Sequence, residues 1–178
     1  NNLKKGLDRV SELTENIQFS AAKQRLNFLK TISKRLDFEE FHSKIENKME
    51  IIQENIEIKQ KEQKALQFES NQKLRMAYNF FDILDREINT EKYNKILVPK
   101  LTKEIHQKFI ALRHQLKALK GNCHEKLWKS YKLINEGKFT SAETVLGEIE
   151  QTAKEFDFFR ILNLVEDQRK EIQKLLPR

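Results

Sequence analysis

The longest regular pattern in the chain is an apolar stripe between Phe38 and Ile88, a stretch without Gly or Pro. Asp37 lies just ahead of it, and Asp37 and Glu40, three residues on, have the spacing of a capping box. The apolar positions recur every three or four residues, which places them on one face of a helix; they include Phe38, Phe41, Ile45, Met49, Ile52, Leu74, Ala77, Phe81 and Leu84. The pattern predicts one helix from 38 to 88, with a break near 69–72 as the alternative.

Shorter stripes lie on both sides of this stretch. Apolar residues at helical spacing predict a first helix over 3–35, and the short Leu36-Asp37 junction predicts that it folds back on the long helix as an antiparallel hairpin. A short helix is expected at 91–97. Pro99 fits the first turn of the next helix, whose stripe continues to Leu119. Gly121-Asn122 is interpreted as a stop and restart, with one continuous helix to residue 136 as the alternative.

The C-terminal part of the chain predicts shorter helices joined by tight turns. Gly137 is suited to a left-handed helix end. Thr140 with Glu143 is spaced as a capping box, and Asp157 is a candidate cap for the last helix. The apolar side of the helix before Gly137 is interpreted as core, and it is formed by Leu127, Trp128, Tyr131 and Ile134. We therefore expect a long-helix bundle over 1–120 and a C-terminal helical hairpin over 121–178 packed on it, with a single domain as the alternative.

The composition agrees with an all-α fold. The chain holds only 4 Gly and 2 Pro in 178 residues, with 34% charged side chains, a balance that favours long helices with solvated faces. We expect an elongated antiparallel bundle with coiled-coil-like helices. No apolar run is long enough for a membrane span. The lone Cys123 excludes an internal disulfide and fits a reducing, cytoplasmic compartment.

The hairpin at residues 125–156 resembles a tetratricopeptide-type repeat. The similarity is carried by Gly137-Lys138-Phe139-Thr140-Ser141-Ala142 and by Leu146 and Ile149, with Ser130 as the matching small residue on the first helix. No second copy follows at that family's period of about 34 residues. The resemblance implies two closely packed helices and a protein-interaction surface.

Charge is distributed unevenly along the chain. Residues 90–138 hold 12 basic and 4 acidic side chains, whereas residues 36–89 hold 8 basic and 12 acidic ones. We expect these segments to pair with each other. In the alternative, the basic segment binds an anionic partner, nucleic acid or an acidic membrane, through six residues: Lys100, Lys103, Lys108, Arg113, Lys117 and Lys120.

Catalytic and metal-binding chemistry finds little support in the sequence. Asp82 and Asp85 lie one helical turn apart, and a Glu39-x-x-His42 motif has the spacing of di-iron bundles, but neither has the further ligands such sites need. The adjacent Cys123 and His124 point apart on a helix. We therefore expect no enzyme activity, no cofactor, no metal and no small-molecule substrate.

Taken together, these patterns favour a helical scaffold or adaptor that binds other proteins within a larger assembly. The expected protein partners include a second copy of the same chain. The aromatic residues near the basic segment, Phe109 and Trp128, lie on apolar stripes, which favours burial over base stacking. Nucleic acid or an anionic membrane is accordingly the alternative partner of residues 90–138.

Overall fold

The computed structural model describes residues 2–36, 38–70 and 73–176. Those residues form eight α-helices and no strand, so the all-α prediction is confirmed. The helices are α1 Asn2–Glu15, α2 Phe19–Arg35, α3 Glu39–Ser70, α4 Leu74–Ile88, α5 Glu91–Asn94, α6 Pro99–Asn135, α7 Phe139–Glu155 and α8 Phe159–Leu175.

The chain divides into two compact units. Unit 1 covers Asn1–Ile110 and unit 2 covers Ala111–Arg178, so the division falls within α6. The sequence had suggested a domain boundary near residue 121. In unit 1, α1, α2, α3 and α4 pack in succession, and in unit 2 α7 packs on α8.

The single helix predicted over 38–88 is wrong, and the alternative break near 69–72 is correct. α3 ends at Ser70 and α4 begins at Leu74. The two helices run antiparallel, because Lys61 pairs with Glu87 at 2.5 Å and the Phe68 ring stacks on Phe80 with centroids 4.9 Å apart. Folding back buries both apolar faces, which a straight solvated rod leaves exposed.

The single helix predicted over 3–35 is also wrong, because α1 and α2 form a hairpin of their own. The chain reverses at Ile17, which has a φ of +61°. Gly6 permits close packing in this hairpin, since a Cβ there would lie 2.6 Å from a Leu29 methyl carbon. The turn was missed because a β-branched residue is uncommon at positive φ.

The predicted helix ends were right at Pro99 and Gly137 and wrong at Thr140 and Asp157. The break at Gly121-Asn122 was also wrong, and the alternative of one continuous helix there is correct. α6 starts at Pro99 and continues through Gly121-Asn122 without a restart. α7 and α8 start after Lys138 and Phe158, neither of which makes a side-chain cap, and Asp157 has a φ of +54°. The proposed Asp37 cap lies outside the described residues.

We predict opposite effects of alanine at two glycines. Gly121→Ala should stabilise the protein by about 0.5–1 kcal/mol, because Gly is a poor residue for a helix interior and an added Cβ meets nothing within 4 Å. Gly137→Ala should destabilise it by about 1–2 kcal/mol, because its φ is +71°. Urea unfolding followed by circular dichroism measures both. A destabilising Gly121→Ala would contradict a continuous α6.

The two units contain the same arrangement of three helices. α2 spans Phe19–Arg35 and α7 spans Phe139–Glu155, so their bounds differ by 120 residues at both ends. The preceding helices end at Glu15 in unit 1 and at Asn135 in unit 2, again 120 residues apart. The following helices begin at Glu39 and Phe159, with the same offset. α1–α2–α3 in unit 1 therefore corresponds to the C-terminal part of α6, α7 and α8 in unit 2.

Turns and cores match at the same offset. Backbone N–H groups of Gln18 and Lys138 each bond to the carbonyl five residues earlier, at 2.8 Å and 2.9 Å. Positive φ falls at Ile17 and Gly137. Nine buried pairs correspond: Leu3 and Cys123, Leu7 and Leu127, Val10 and Ser130, Ala22 and Ala142, Leu26 and Leu146, Leu29 and Ile149, Ser33 and Ala153, Ile45 and Val165, and Ile52 and Ile172. We call this shared arrangement the three-helix motif.

Candidate protein-binding surface

In unit 2, a groove runs between the first and third helices of the three-helix motif, α6 and α8. Its volume is about 290 Å³, and its lining is mainly aromatic and aliphatic. The residues that line it are His124, Leu127, Trp128, Tyr131, Leu164 and Gln168. We call it the aromatic groove.

Trp128 and Tyr131 form the wall of the aromatic groove on α6. Their rings stack with centroids 5.8 Å apart and planes inclined by 20°. Trp128 is 62% exposed and Tyr131 46% exposed, while Leu164 on α8 is 43% exposed. The prediction that Trp128 and Tyr131 belong to the core is therefore wrong. The buried side of α6 is formed by Cys123, Leu127, Ser130 and Ile134.

Buried contacts fix the position of this wall. Ser130 is fully buried, and its hydroxyl contacts the Gln168 side-chain oxygen. The Gln168 side-chain nitrogen donates to the Leu127 carbonyl at 3.1 Å. These contacts join α6 directly to α8 beside the groove, which Trp128 lines from α6 and Leu164 from α8.

Ion pairs hold α7 against both neighbouring helices. Lys126 on α6 pairs with Glu148 at 2.6 Å, and this contact keeps the pKa of Glu148 below its ordinary value. Arg169 on α8 pairs with Glu150 at 2.7 Å. The hydrogen bonds from Lys154 and Arg169 lower the pKa of Glu150 in the same way. Glu148 and Glu150 thus form ion pairs inside the motif, and neither lines the aromatic groove.

The six predicted anion-binding residues are divided between the units. Lys100, Lys103 and Lys108 belong to unit 1, and Arg113, Lys117 and Lys120 to unit 2. Lys108 pairs with Glu69 at 2.7 Å, as expected for pairing with the acidic segment. The other five are exposed, and within the described part of their own unit none has a carboxylate within 4.0 Å.

The two aspartates considered as metal ligands have ordinary partners. Asp82 pairs with Arg86 at 2.6 Å, and Asp85 lies 2.9 Å from His106. Cys123 is buried, and burial raises the pKa of its thiol, which disfavours the reactive thiolate. In the described ranges, no three His, Cys, Asp or Glu side chains converge as metal ligands.

No described helix has the length and apolar character to cross a bilayer.

Unit 1 exposes a separate apolar stripe on α4. Met76, Phe80 and Ile83 lie at helical spacing and are 43%, 41% and 63% exposed. This stripe belongs to one helix face, whereas the aromatic groove is a shallow depression lined from two helices. The aromatic groove is therefore the better defined candidate for a binding site.

Comparison with known proteins found no matching family model, no similar curated protein and no similar solved structure. The similarity of residues 125–156 to a tetratricopeptide-type hairpin therefore remains a resemblance in residue pattern.

Proposed function

We propose that the chain is a non-enzymatic helical scaffold or adaptor that binds a protein partner within a larger assembly. The observation that carries this proposal is the exposed Trp128–Tyr131 stack facing Leu164 across the aromatic groove. Monomeric proteins rarely expose large aromatic and aliphatic side chains together without using them for binding.

Trp and Tyr are suited to this role for energetic reasons. Both bury a large apolar area with few rotatable bonds, and they are enriched among the interface residues that dominate binding energy. The partner expected in the aromatic groove is a polypeptide segment that inserts an apolar side chain between Trp128 and Leu164. A groove of about 290 Å³ has room for one or two such side chains.

The test compares the wild type with variants of the groove. We expect Trp128→Ala to weaken binding of a purified partner by at least about 30-fold, since truncation of an interface hot spot costs 2 kcal/mol or more. Candidate partners are first captured from extract of the source organism on full-length protein and then titrated in purified form. Trp128 is the sole tryptophan in the sequence, so its emission reports binding at the groove directly.

Phe159→Ala is the matched control. Phe159 is 68% exposed on α8 but does not line the aromatic groove. We expect it to bind like wild type, and circular dichroism should show equal helicity in all variants. The proposed surface would be contradicted by partners that bind Trp128→Ala as tightly as wild type and that leave the tryptophan emission of the wild-type protein unchanged when they bind.

A second candidate function is binding of a polyanion through the basic residues of α6. It is supported by the exposure of Lys100, Lys103, Arg113, Lys117 and Lys120. The matching test uses duplex DNA and vesicles containing phosphatidylserine with a variant in which Lys117, Lys120 and Arg113 are changed to Glu. Affinity for DNA that falls steeply with salt, with a slope reduced by about 0.9 per lost phosphate contact, would favour this function over the scaffold.

A further inference from the structure

Unit 1 contains a groove at the position that corresponds to the aromatic groove. It lies between α1 and α3, the first and third helices of the three-helix motif, and its volume is about 570 Å³. The residues that line it are Lys4, Leu7, Asp8, Ser11, Glu40, Phe41, Lys44, Asn47 and Lys48. We call it the lysine groove.

Each of the six residues of the aromatic groove has its counterpart in the lysine groove at the 120-residue offset. The six counterparts are Lys4 for His124, Leu7 for Leu127, Asp8 for Trp128, Ser11 for Tyr131, Lys44 for Leu164 and Lys48 for Gln168. The two grooves therefore have the same place in the fold and different chemistry. Both grooves have a leucine at the base, Leu127 or Leu7. Where the aromatic groove has aromatic and aliphatic walls, the lysine groove has charged and polar side chains.

We propose that the lysine groove is a second binding site, which takes an acidic polypeptide segment. Its three ammonium groups outnumber its two carboxylates. Lys44 is neutralised by Glu40 at 2.7 Å. Lys48 instead donates to the Ser11 hydroxyl at 2.6 Å. Within the described residues of unit 1, neither Lys4 nor Lys48 has a carboxylate within 4.0 Å.

A polypeptide fits this site better than a compact phosphate. The lining extends along several turns of two helices and includes apolar contacts from Leu7 and the half-buried Phe41 ring. Such a groove offers a base for apolar side chains together with ammonium groups for carboxylates. Asp8 occupies the position of Trp128 and excludes a mainly apolar ligand. The chain would accordingly hold two segments of different chemistry, one in each unit.

The experiment selects random 12-residue peptides displayed on phage against the full-length protein. The eluted pools are then tested on a triple variant with Lys4, Lys44 and Lys48 changed to Gln. A control triple variant changes Lys34, Lys64 and Lys95 to Gln. These exposed lysines line neither groove, so both variants lose the same formal charge at different places. We expect peptides rich in Asp and Glu to bind the first variant at least 10-fold more weakly than wild type and the control less than twofold more weakly.

Several outcomes would overturn the proposal. One is that both triple variants lose the same affinity for the acidic peptides. Another is that no selected peptides depend on Lys4, Lys44 and Lys48, or that those that do are not rich in Asp and Glu. A third is that peptides with Gln in place of Glu bind the wild type as tightly as the acidic peptides. Inorganic polyphosphate that competes as well as the acidic peptides would also contradict a polypeptide site. Circular dichroism must show that the first variant keeps its helicity, and Lys4→Gln alone, at an exposed position, gives a second variant that tests the site.

The lysine groove is independent of the proposed function in unit 2. Trp128→Ala should leave the acidic peptides bound, while the triple variant at Lys4, Lys44 and Lys48 should leave the tryptophan-dependent partner bound. The two sets of variants therefore distinguish a failure of the lysine-groove proposal from a failure of the aromatic-groove proposal. An acidic peptide whose binding is lost in Trp128→Ala would place it in the aromatic groove and contradict the lysine groove as its site.

Discussion

Phe81→Ala is expected to destabilise unit 1 by about 3–5 kcal/mol, the usual cost of truncating a buried phenylalanine. Phe81 is fully buried on α4. Its neighbours on the same helix face, Ala77 and Leu84, are buried as well, so the ring belongs to a continuous packed face of α4. Urea unfolding followed by circular dichroism at 222 nm measures the effect.

Ile83→Ala is the matched control for this prediction. Ile83 lies two residues from Phe81 on the same helix but is 63% exposed. We expect its replacement to change the free energy of unfolding by no more than about 0.5 kcal/mol. If the two variants were equally stable, the apolar face of α4 assigned to the core would be the wrong one.

The fold class was predictable from the sequence because it depends on periodicity and on the scarcity of turn formers. The turn between α1 and α2 was less predictable, since it does not use a residue that marks turns. Ile17 occupies the left-handed position that Gly137 occupies in the other unit. Backbone bonds, such as that from the Gln18 N–H to the Leu13 carbonyl, close these turns without a side-chain cap.

The aromatic groove was missed for a reason visible on the helical wheel. Trp128 and Tyr131 were grouped with Leu127 and Ile134 because all four are apolar. The steps of three and four that run through the core connect Cys123, Leu127, Ser130 and Ile134. Trp128 is turned by about 100° from Leu127 on the helix, which takes it out of the core. Accepting a serine and a cysteine as core residues would have identified the exposed pair.

The three-helix motif could not be recognised from the sequence, because corresponding positions of the two units share burial and not residue identity. Val10 corresponds to Ser130, and Ser33 to Ala153, so apolar and polar residues exchange at buried positions. The repeat distance of 120 residues also exceeds the period of about 34 expected for tetratricopeptide arrays. Only coordinates reveal that each side chain of the aromatic groove has a counterpart in the lysine groove.

Asn55→Ala is expected to cost about 2–5 kcal/mol, although it removes only a small polar side chain. Asn55 is fully buried on α3. Its side-chain oxygen accepts a bond from the Val98 N–H at 2.9 Å, and its nitrogen donates to the Ile96 carbonyl at 3.0 Å. Removing the amide leaves a backbone donor and a backbone acceptor unpaired, and each such buried group costs about 1–3 kcal/mol.

Asn47→Ala provides a control on the same helix, because Asn47 is exposed and should tolerate the change within about 0.5 kcal/mol. Asn55→Asp separates the two bonds, since a carboxylate still accepts from Val98 but has no donor for the Ile96 carbonyl. We expect it to be destabilising too, because the charge is buried and faces that carbonyl oxygen. The two bonds hold the segment that leads into α6 at Pro99, so hydrogen exchange at Val98 should accelerate in Asn55→Ala. Unchanged exchange and unchanged stability would show that this segment is held by its apolar contacts alone.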